Sequence, residues 1–198
     1  MNILIVLGHP DAGSFNAAIA RAAKEELEEL GHQVVFHDLC REAFDPILPT
    51  EEIPLDGPVD PLIARHCDEL AQADGLVVVH PNWWGQPPAM LKGWVDRVFR
   101  PGVAYRFLEG DDGEGVPEGL LKARLAVVFN TSNTFPEREA AVFGDPLEKL
   151  WRTCLFEFCG IEDFYRRTFS VIVVSSREQR KQWLDEVRAT MRRLFPGN

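Results

Sequence analysis

Short apolar runs that alternate with helical patterns constrain the fold of this chain more than any other feature. The run over residues 2 to 7 is apolar from Ile3 onward, residues 34 to 36 are apolar, and residues 75 to 80 read Gly-Leu-Val-Val-Val-His. Such β-branched runs are typical of strands buried in a parallel sheet. Between the second and third runs, apolar side chains recur at helical spacing from Leu62 to Leu70. This alternation predicts an α/β fold with a parallel sheet and helices on both of its faces.

The same pattern extends through the rest of the chain. Ser14 is a favourable N-cap for a first helix that Gly31 would close. Two prolines, Pro87 and Pro88, begin a helix after the third strand, and the chain ends in an amphipathic helix over 176–194. Between these elements the sequence predicts a fourth strand over 124–129, a polar turn over 130–134, a helix over 144–159 and a fifth strand over 169–174.

Length and charge narrow the classes of function. The chain has 198 residues, so one domain with its own core is the simplest organisation. Its net charge of −10 argues against a nucleic-acid or anionic-membrane partner for the surface as a whole. The apolar run at residues 2 to 7 is too short to span a bilayer and has no basic leader, which predicts a cytoplasmic protein.

The cysteines and histidines form no pattern that resembles a metal site. The four cysteines have no CxxC spacing, and we predict reduced core thiols and no metal. His80 ends a buried strand and is expected to be a hydrogen-bonded structural residue. The acidic segment 109–118 is interpreted as a solvated connection or as a fringe of the ligand pocket. The thiols are Cys40, Cys67, Cys154 and Cys159, and the histidines interpreted as surface or packing residues are His32, His37 and His66.

The turn after the first strand is suited to bind a phosphate group. In an open doubly wound sheet, ligands bind beyond the carboxyl ends of the strands, where the strand order reverses. The turn from Gly8 to Gly13 leads to a helix start, and the free backbone N–H groups of a helix N-terminus attract anions. His9, Ser14 and Asn16 add polar side chains. The alternative interpretation is an ordinary turn in which Ser14 merely caps the helix.

Two further loops leave strand ends at the same edge of the predicted sheet. The third strand runs into the aromatic loop Pro81-Asn82-Trp83-Trp84, and the fourth ends in the donor-rich run Asn130 to Thr134. A phosphate-binding turn, an aromatic floor and nearby donors together predict a site for a flat heteroaromatic phosphate ester such as flavin mononucleotide (FMN). Core packing or a partner interface would also explain Trp83 and Trp84.

Three segments together resemble a known family. The chain is similar to the flavodoxin-like NAD(P)H dehydrogenases of the quinone reductase group, and the likeness covers about residues 1 to 134. It implies a flavodoxin-like doubly wound sheet of five parallel strands in the order 2-1-3-4-5. It also implies hydride transfer from NADH or NADPH through a flavin to a quinone-like acceptor. The segments are Gly8-His9-Pro10 with Ser14-Phe15-Asn16, Phe44-Asp45-Pro46-Ile47-Leu48, and Pro81-Asn82-Trp83-Trp84 with Pro88 to Trp94 and Ala104-Tyr105.

The resemblance also implies which residues hold the flavin. The flavin would carry the redox chemistry, and the protein would supply placement and electrostatics. Relatives that bind FAD tend to have a longer insertion where this chain has the short segment Pro54 to Pro61, which favours FMN over FAD. The implied contacts are His9, Ser14, Phe15 and Asn16 for the phosphate, Pro81, Asn82, Trp83 and Trp84 for the isoalloxazine ring, and donors from Thr131, Ser132, Asn133 and Thr134 for the reduced ring.

The resemblance further implies a homodimer. In relatives, the segment that matches Tyr105 and Phe107 reaches over the flavin of the partner subunit and helps to form the substrate slot. We therefore expect these two residues to bind the acceptor. The helix that begins at Pro87 lies near the dimer contact in relatives, which predicts Trp94 and Phe99 in the interface rather than in the core.

The sequence departs from the family after the fourth strand. Relatives often carry a Gly pair there, followed by a Tyr and a His that are thought to balance charge during hydride transfer. Here Asn133 and Thr134 are followed by Phe135-Pro136-Glu137-Arg138, so no catalytic acid or base is assigned. Two alternatives to an oxidoreductase stay open, namely an ancillary regulatory subunit of a potassium efflux system and a one-electron carrier. His9 and Pro10 argue against the carrier, because true flavodoxins bind phosphate with a loop rich in Ser, Thr and Gly.

Overall fold

A five-stranded sheet forms the centre of the molecule. The structure is a computed structural model, and it describes residues 1–108 and 117–197. The three central strands are rich in Val, Ile and Leu, as expected for a sheet that is covered on both faces. They are β1 (Asn2–Leu7), β2 (Gln33–Asp38), β3 (Gly75–Pro81), β4 (Leu125–Ser132) and β5 (Asp163–Ser170).

The strand order confirms the predicted doubly wound topology. The order is β2-β1-β3-β4-β5, and each neighbouring pair is parallel. The chain leaves β1 toward β2 on one side and returns to β3 on the other, so β1 pairs with both. A crevice therefore opens where the loops after β1 and β3 diverge.

Helices cover both faces of the sheet. The first helix, Phe15–Glu29, ends beside Gly31 as expected. Gly31 has a φ of +83°, and its N–H donates to the carbonyl of Glu28. No helix within residues 1–108 and 117–197 has the length and apolarity that a membrane crossing needs. The long helices are α1 (Phe15–Glu29), α2 (Pro61–Gln72), α3 (Ala89–Val98) and α4 (Arg177–Leu194), and shorter helical segments lie at Thr50–Glu52, Pro136–Phe143, Pro146–Cys159 and Ile172–Val174.

The core lies in two layers, because successive side chains of a strand point to opposite faces. Leu4 and Val6 of β1 pack in the layer beneath α2 and α3. Ile3, Ile5 and Leu7 pack in the layer beneath α1 and α4. A separate two-residue antiparallel pair joins Tyr105–Arg106 to Glu118–Gly119. Most of the acidic segment predicted to be a solvated connection lies outside the described residues.

The predicted fifth strand is present, but its predicted bounds, 169–174, were wrong. The strand is β5, which pairs with β4 from Asp163 to Ser170, and residues 172–174 form a short 3-10 helix. Arg166 and Arg167 interrupt the apolar pattern, which hides this edge strand in the sequence. The apolar Val173 that follows is 71% exposed, so it belongs to no core strand.

The prediction that Trp94 and Phe99 lie in a dimer interface was also wrong. Trp94 is fully buried and Phe99 is 7% exposed, and both belong to the core layer beneath α2 and α3. The indole N–H of Trp94 donates a hydrogen bond to Nδ1 of His66 at 3.0 Å. Both rings are thus enclosed by their own chain.

The elements after β3 differ in detail from their prediction. Asn130, Thr131 and Ser132 lie inside β4 and are buried, rather than in a turn that follows it. The helix expected over 144–159 consists of α-, π- and 3-10-helical pieces, and Gly144 separates it from an unpredicted helical segment over 136–143. The polar end of β4 and the short helical segment that begins at Pro136 have no clear sequence period. The sequence therefore predicted neither of them.

The cysteines and histidines are more varied than expected. All four thiols are free, and Cys67 and Cys159 are buried as predicted. Cys154 is exposed and Cys40 is half-buried, so the prediction of core thiols was wrong for these two. The histidines interpreted as surface or packing residues are all packed inside, with His32, His37 and His66 between 1% and 6% exposed.

Candidate functional site

Two adjoining cavities lie at the carboxyl edge of the sheet, where the loops after β1, β3 and β4 meet. The helix-end cavity, beside the start of α1, has a volume of about 290 Å³, and the turn-end cavity, beside Trp84, has about 560 Å³. Asn82, Ser132 and Asn133 line both, so the two form one groove. All twelve residues predicted to contact a flavin line this groove, and their role in binding stays a prediction.

The helix-end cavity presents donors to an anion. Ser14 caps α1, and its Oγ accepts the N–H of Ala17 at 3.1 Å. The N–H groups of Phe15 and Asn16 precede the first intrahelical bond and point away from the helix. Nδ1 of His9 accepts the N–H of Asp11 at 3.0 Å, so neutral His9 carries its proton on Nε2 and can donate from there. These groups fit a phosphate.

Asn16 occupies the middle of the groove and is 3% exposed. Its Nδ2 donates to Oγ1 of Thr131 at 2.9 Å. Its Oδ1 is buried and has no hydrogen-bond partner among the described residues. An unpaired buried acceptor is costly, so the side chain of Asn16 is suited to accept a bond from a ligand hydroxyl. The sequence had instead indicated that Asn16 contacts the phosphate.

A strained two-residue turn forms the wall of the turn-end cavity. The backbones of Trp83 and Gln86 exchange hydrogen bonds of 3.0 and 3.1 Å around Trp84 and Gly85. Trp84 has a φ of +58° and Gly85 one of +70°, as in a type I′ turn. The side-chain oxygen of Asn82 accepts the N–H of Gly85 at 2.9 Å. The turn is therefore held rigidly, with the indole of Trp84 projecting outward.

The opposite side of the groove carries hydroxyl and amide groups. Oγ of Ser132 accepts the N–H of Thr134 at 3.0 Å, and Oδ1 of Asn133 accepts the N–H of Val173 at 3.1 Å. In the first of these bonds the hydroxyl oxygen of Ser132 accepts, and Thr134 donates from its backbone N–H. The hydroxyl protons of both residues therefore remain available to donate. The main-chain carbonyl of Thr131 accepts the N–H of Asn82 at 2.7 Å and ties this side to the loop after β3.

Comparison with known proteins assigns this architecture to a family. The chain matches the model of the flavodoxin-like fold over residues 1–194. The chain belongs to the flavodoxin-like family. It is 36% identical over 194 residues to an uncharacterized NAD(P)H oxidoreductase of Haemophilus influenzae, a match that covers 93% of this chain and 91% of that protein.

Two further proteins of known name are also similar to this chain. NAD(P)H dehydrogenase [quinone] 1 of Cavia porcellus is 31% identical, over 80% of this chain and 64% of that protein. The structure of an NAD(P)H:quinone oxidoreductase from Methanothermobacter marburgensis has a TM-score of 0.85 and 25% identity, and the match covers 100% of this chain and 98% of that one. The resemblance to the quinone reductase group and the prediction of an oxidoreductase are thereby confirmed.

Tyr105 and Phe107 do not line the groove of their own chain. Their rings are 5.6 Å apart, and Tyr105 also packs edge to face on Phe158 at 5.1 Å. Phe107 is 55% exposed. If this flavodoxin-like protein uses these residues to bind an acceptor, they must act on the groove of a second subunit, as the resemblance implies.

His80 lies beneath the groove and is fully buried. Its Nδ1 donates to the carbonyl of Pro81 at 2.8 Å, and its Nε2 accepts the indole N–H of Trp151 at 3.0 Å. Burial, which outweighs the hydrogen bond to Pro81, lowers the pKa of His80 from its usual 6.5 to about 4. The structural role predicted for His80 therefore agrees with its contacts.

A group of polar side chains outside the groove has the spacing of a metal site. His37, Glu42 and His66 place their ligand atoms within 4.8 Å of one another. The indole of Trp94, however, donates to Nδ1 of His66, which leaves the proton of the neutral ring on Nε2, the nitrogen that faces Glu42 at 3.4 Å. His37 meanwhile bonds both Glu42 and Glu69. The arrangement is therefore a packing network in which His37 and Nδ1 of His66 are hydrogen-bonded, while Nε2 of His66 has no hydrogen-bond partner among the described residues.

Sequence reasoning missed two charged residues at the groove. Glu139 lines the turn-end cavity, and its Oε1 accepts a bond from Nδ2 of Asn82 at 3.2 Å. Arg180 of α4 lies 5.8 Å from the ring centroid of Phe15, beside the helix-end cavity, and bonds the carbonyl of Ile172. Neither belongs to a local motif, because each reaches the groove from a distant part of the chain.

Proposed function

We propose that this protein is a flavin-dependent NAD(P)H:acceptor oxidoreductase that reduces a small quinone-like acceptor by two electrons. The single observation that carries the proposal is the continuous groove with an anion-binding helix start at one end and an aromatic turn at the other. NAD(P)H as donor and a quinone as acceptor are carried over from the names of the relatives. The cytoplasmic location stays a prediction from the sequence.

The groove fits FMN part by part. The donors near His9 and Phe15 suit its phosphate, and the unpaired Oδ1 of Asn16 suits a hydroxyl of its ribityl chain. Trp83 and Trp84 offer aromatic surface at the other end, and they are 46% and fully exposed. FMN is preferred over FAD because the chain lacks the insertion that accompanies an adenine half in relatives.

The chain's own residues would place and polarise the reacting partners. When bound, the flavin supplies the hydride-transfer chemistry. Asn82 orients the Trp84 turn, which would enforce the short contact distances that hydride transfer requires. The hydroxyls of Ser132 and Thr134 would donate to the flavin edge that gains negative charge. Aromatic walls would keep water away from the reacting atoms.

A homodimer is part of the proposal. Trp84 and Phe107 are large apolar side chains that a single chain leaves exposed, and aromatic side chains are enriched where subunits meet. Seating Tyr105 and Phe107 over the groove of a second subunit would cover both surfaces and complete the acceptor slot.

The test is spectroscopic. Purified protein is expected to show a flavin absorption spectrum, and acid release is expected to yield FMN. Under anaerobic conditions NADH or NADPH should bleach the spectrum, and 1,4-naphthoquinone should restore it. A flavin-loaded protein that neither nicotinamide bleaches would refute the proposed function, and released FAD would refute the choice of FMN alone.

A further inference from the structure

Glu139 gives the turn-end cavity a fixed position for negative charge. It follows the short helix Pro136–Arg138 and is half-buried. Its Oε1 accepts the bond from Asn82, and Asn82 at the same time holds the Trp84 turn through Gly85. One amide therefore fixes both the aromatic wall and the carboxylate, so the charge stays at the cavity rather than swinging into solvent.

No opposite charge neutralises Glu139 within the part of the chain that the structure describes. It takes part in none of the ion pairs found there, and it is the sole ionisable side chain among the described residues that line the cavity. The charged cluster on either side of Pro146, which lines the cavity, pairs internally, because Arg166 bonds Asp145 and Glu148, and Glu148 also bonds Arg152. Arg138, next to Glu139 in sequence, is exposed and does not line the cavity, so solvent and salt screen its charge.

We propose that Glu139 sets the charge selectivity of the acceptor site, so that anionic acceptors are disfavoured and neutral or cationic ones are retained. The inference rests on the proposed function and specifies its substrate class. An uncompensated carboxylate repels a second anion within the same cavity by Coulomb interaction, which is stronger there than in bulk water because protein surrounds the pair. A hydroxyl or amide at this position would not discriminate between acceptors by charge.

The test compares two quinones of the same shape in the flavin-loaded enzyme. The neutral probe is 1,4-naphthoquinone and the anionic probe is 1,4-naphthoquinone-2-sulfonate. The two quinones differ in reduction potential. The measured quantity is therefore the ratio of their kcat/KM values, compared between the wild-type protein and each variant. In Glu139→Gln, which keeps an oxygen to accept the bond from Asn82, the ratio should move toward the anionic quinone by roughly tenfold.

A matched control separates the cavity charge from the overall charge. Glu137 lies two residues away, is exposed and does not line the cavity. Glu137→Gln removes the same charge and should leave the ratio within about twofold, since exposed charges are screened by solvent and salt. An unchanged ratio in Glu139→Gln, or an equal change in both variants, would overturn the proposal.

A binding measurement keeps this inference separate from the proposed function. Calorimetry gives the dissociation constants of naphthalene-2-sulfonate and of neutral naphthalene-2-methanol, neither of which is reduced. Glu139→Gln should tighten the binding of the sulfonate relative to that of the methanol, by a factor similar to the change in the kcat/KM ratio. If neither quinone reoxidises the enzyme, the proposed function fails while the binding ratio still decides the role of Glu139. If both quinones react and both ratios stay constant, the proposed function stands and this inference is wrong.

Discussion

Trp84 combines a fully exposed side chain with a left-handed backbone conformation. Its φ of +58° is unfavourable for a bulky residue, by about 1 kcal/mol or more relative to glycine. Exposure means that the indole contributes little to the core that would offset this cost. Strain of this kind concentrates at binding sites, which agrees with the role proposed for the turn.

Replacing Trp84 should therefore weaken flavin binding without weakening the fold. We expect Trp84→Ala to lower FMN affinity by about 1 kcal/mol, or roughly fivefold, through lost aromatic contact. Trp84→Gly should lower affinity similarly while its apoprotein unfolds at equal or higher urea concentration, because glycine tolerates positive φ. Flavin fluorescence titration and urea unfolding measure the two effects, and Trp84→Phe serves as the aromatic control. Unchanged FMN affinity in both would show that the indole faces something else.

His80 makes stability depend on pH. The indole N–H of Trp151 occupies its Nε2, so the folded protein binds a second proton only near pH 4, whereas the unfolded chain binds it near pH 6.5. The unfolding free energy should thus fall as pH drops from 6.5 to 4, by about 3 kcal/mol in total from this residue. Urea unfolding at pH 7, 6 and 5 measures the slope. His80→Gln should make it shallower, and the remainder comes from His66, whose pKa burial lowers to about 3. Equal slopes in the two proteins would contradict this account.

At the scale of elements, α1 and α4 begin with the same type of cap but in different places. Oγ of Ser14 bonds the N–H of Ala17, and Oγ of Ser176 bonds the N–H of Gln179. Ser14→Ala and Ser176→Ala should each cost about 1 kcal/mol of stability. Ser14→Ala alone should also weaken FMN binding, because only α1 begins in the groove. Thermal unfolding and FMN titration of both variants provide the comparison, and parallel losses of FMN affinity would count against a phosphate at α1.

Gly93 lets α3 approach the segment that follows β2. A Cβ at this position would lie 2.2 Å from the carbonyl oxygen of Pro46. Alanine normally stabilises a helix interior by about 1 kcal/mol over glycine. Gly93→Ala should instead destabilise by about 2 kcal/mol or more, because backbone on both sides must move. Urea unfolding decides the sign, and a stabilised variant would mean that this packing yields easily.

The same contact is reinforced by buried charge. Nη2 of Arg97 in α3 lies 2.5 Å from Oε1 of Glu52, and both residues are 5% exposed. Arg97 also donates to the carbonyl of Asp45 at 2.7 Å. Helix α3 therefore fixes the long segment before α2 through a buried arginine.

At the scale of the whole molecule, the proposed dimer makes each acceptor slot from two chains. Trp84 would come from one chain and Tyr105 from the other. Mixing two variants can detect such sharing, because a heterodimer of Trp84→Ala and Tyr105→Ala chains contains one site with both residues intact.

Coexpression of Trp84→Ala with Tyr105→Ala should restore about a quarter of wild-type quinone reduction, since random pairing yields half heterodimers with one intact site each. Homodimers of each variant, assayed separately, are the controls. Light scattering should give twice the chain mass of 22.4 kDa for all of them. If the coexpressed chains form dimers but do not recover quinone reduction, Tyr105 lies outside the partner's acceptor slot.

Much of this architecture follows from local patterns. The strands β1 and β3 and the helices α1 and α4 were predicted within about a residue or two, because their apolar periods or caps are local. The twelve groove residues were found because they lie at or just beyond strand ends, and parallel strands bring those ends together. Strand β5 was misplaced because an edge strand with arginines has no clear apolar period.

The sequence by itself determined the parallel α/β sheet, the strand order through family resemblance, and the loops that meet at its carboxyl edge. Tertiary structure alone decided that Trp94 belongs to the core and that Glu139 reaches the groove. The physical reason is that burial and charge placement depend on contacts between distant segments. Glu139 meets Asn82 across 57 positions of chain, and no local period or cap encodes such a contact.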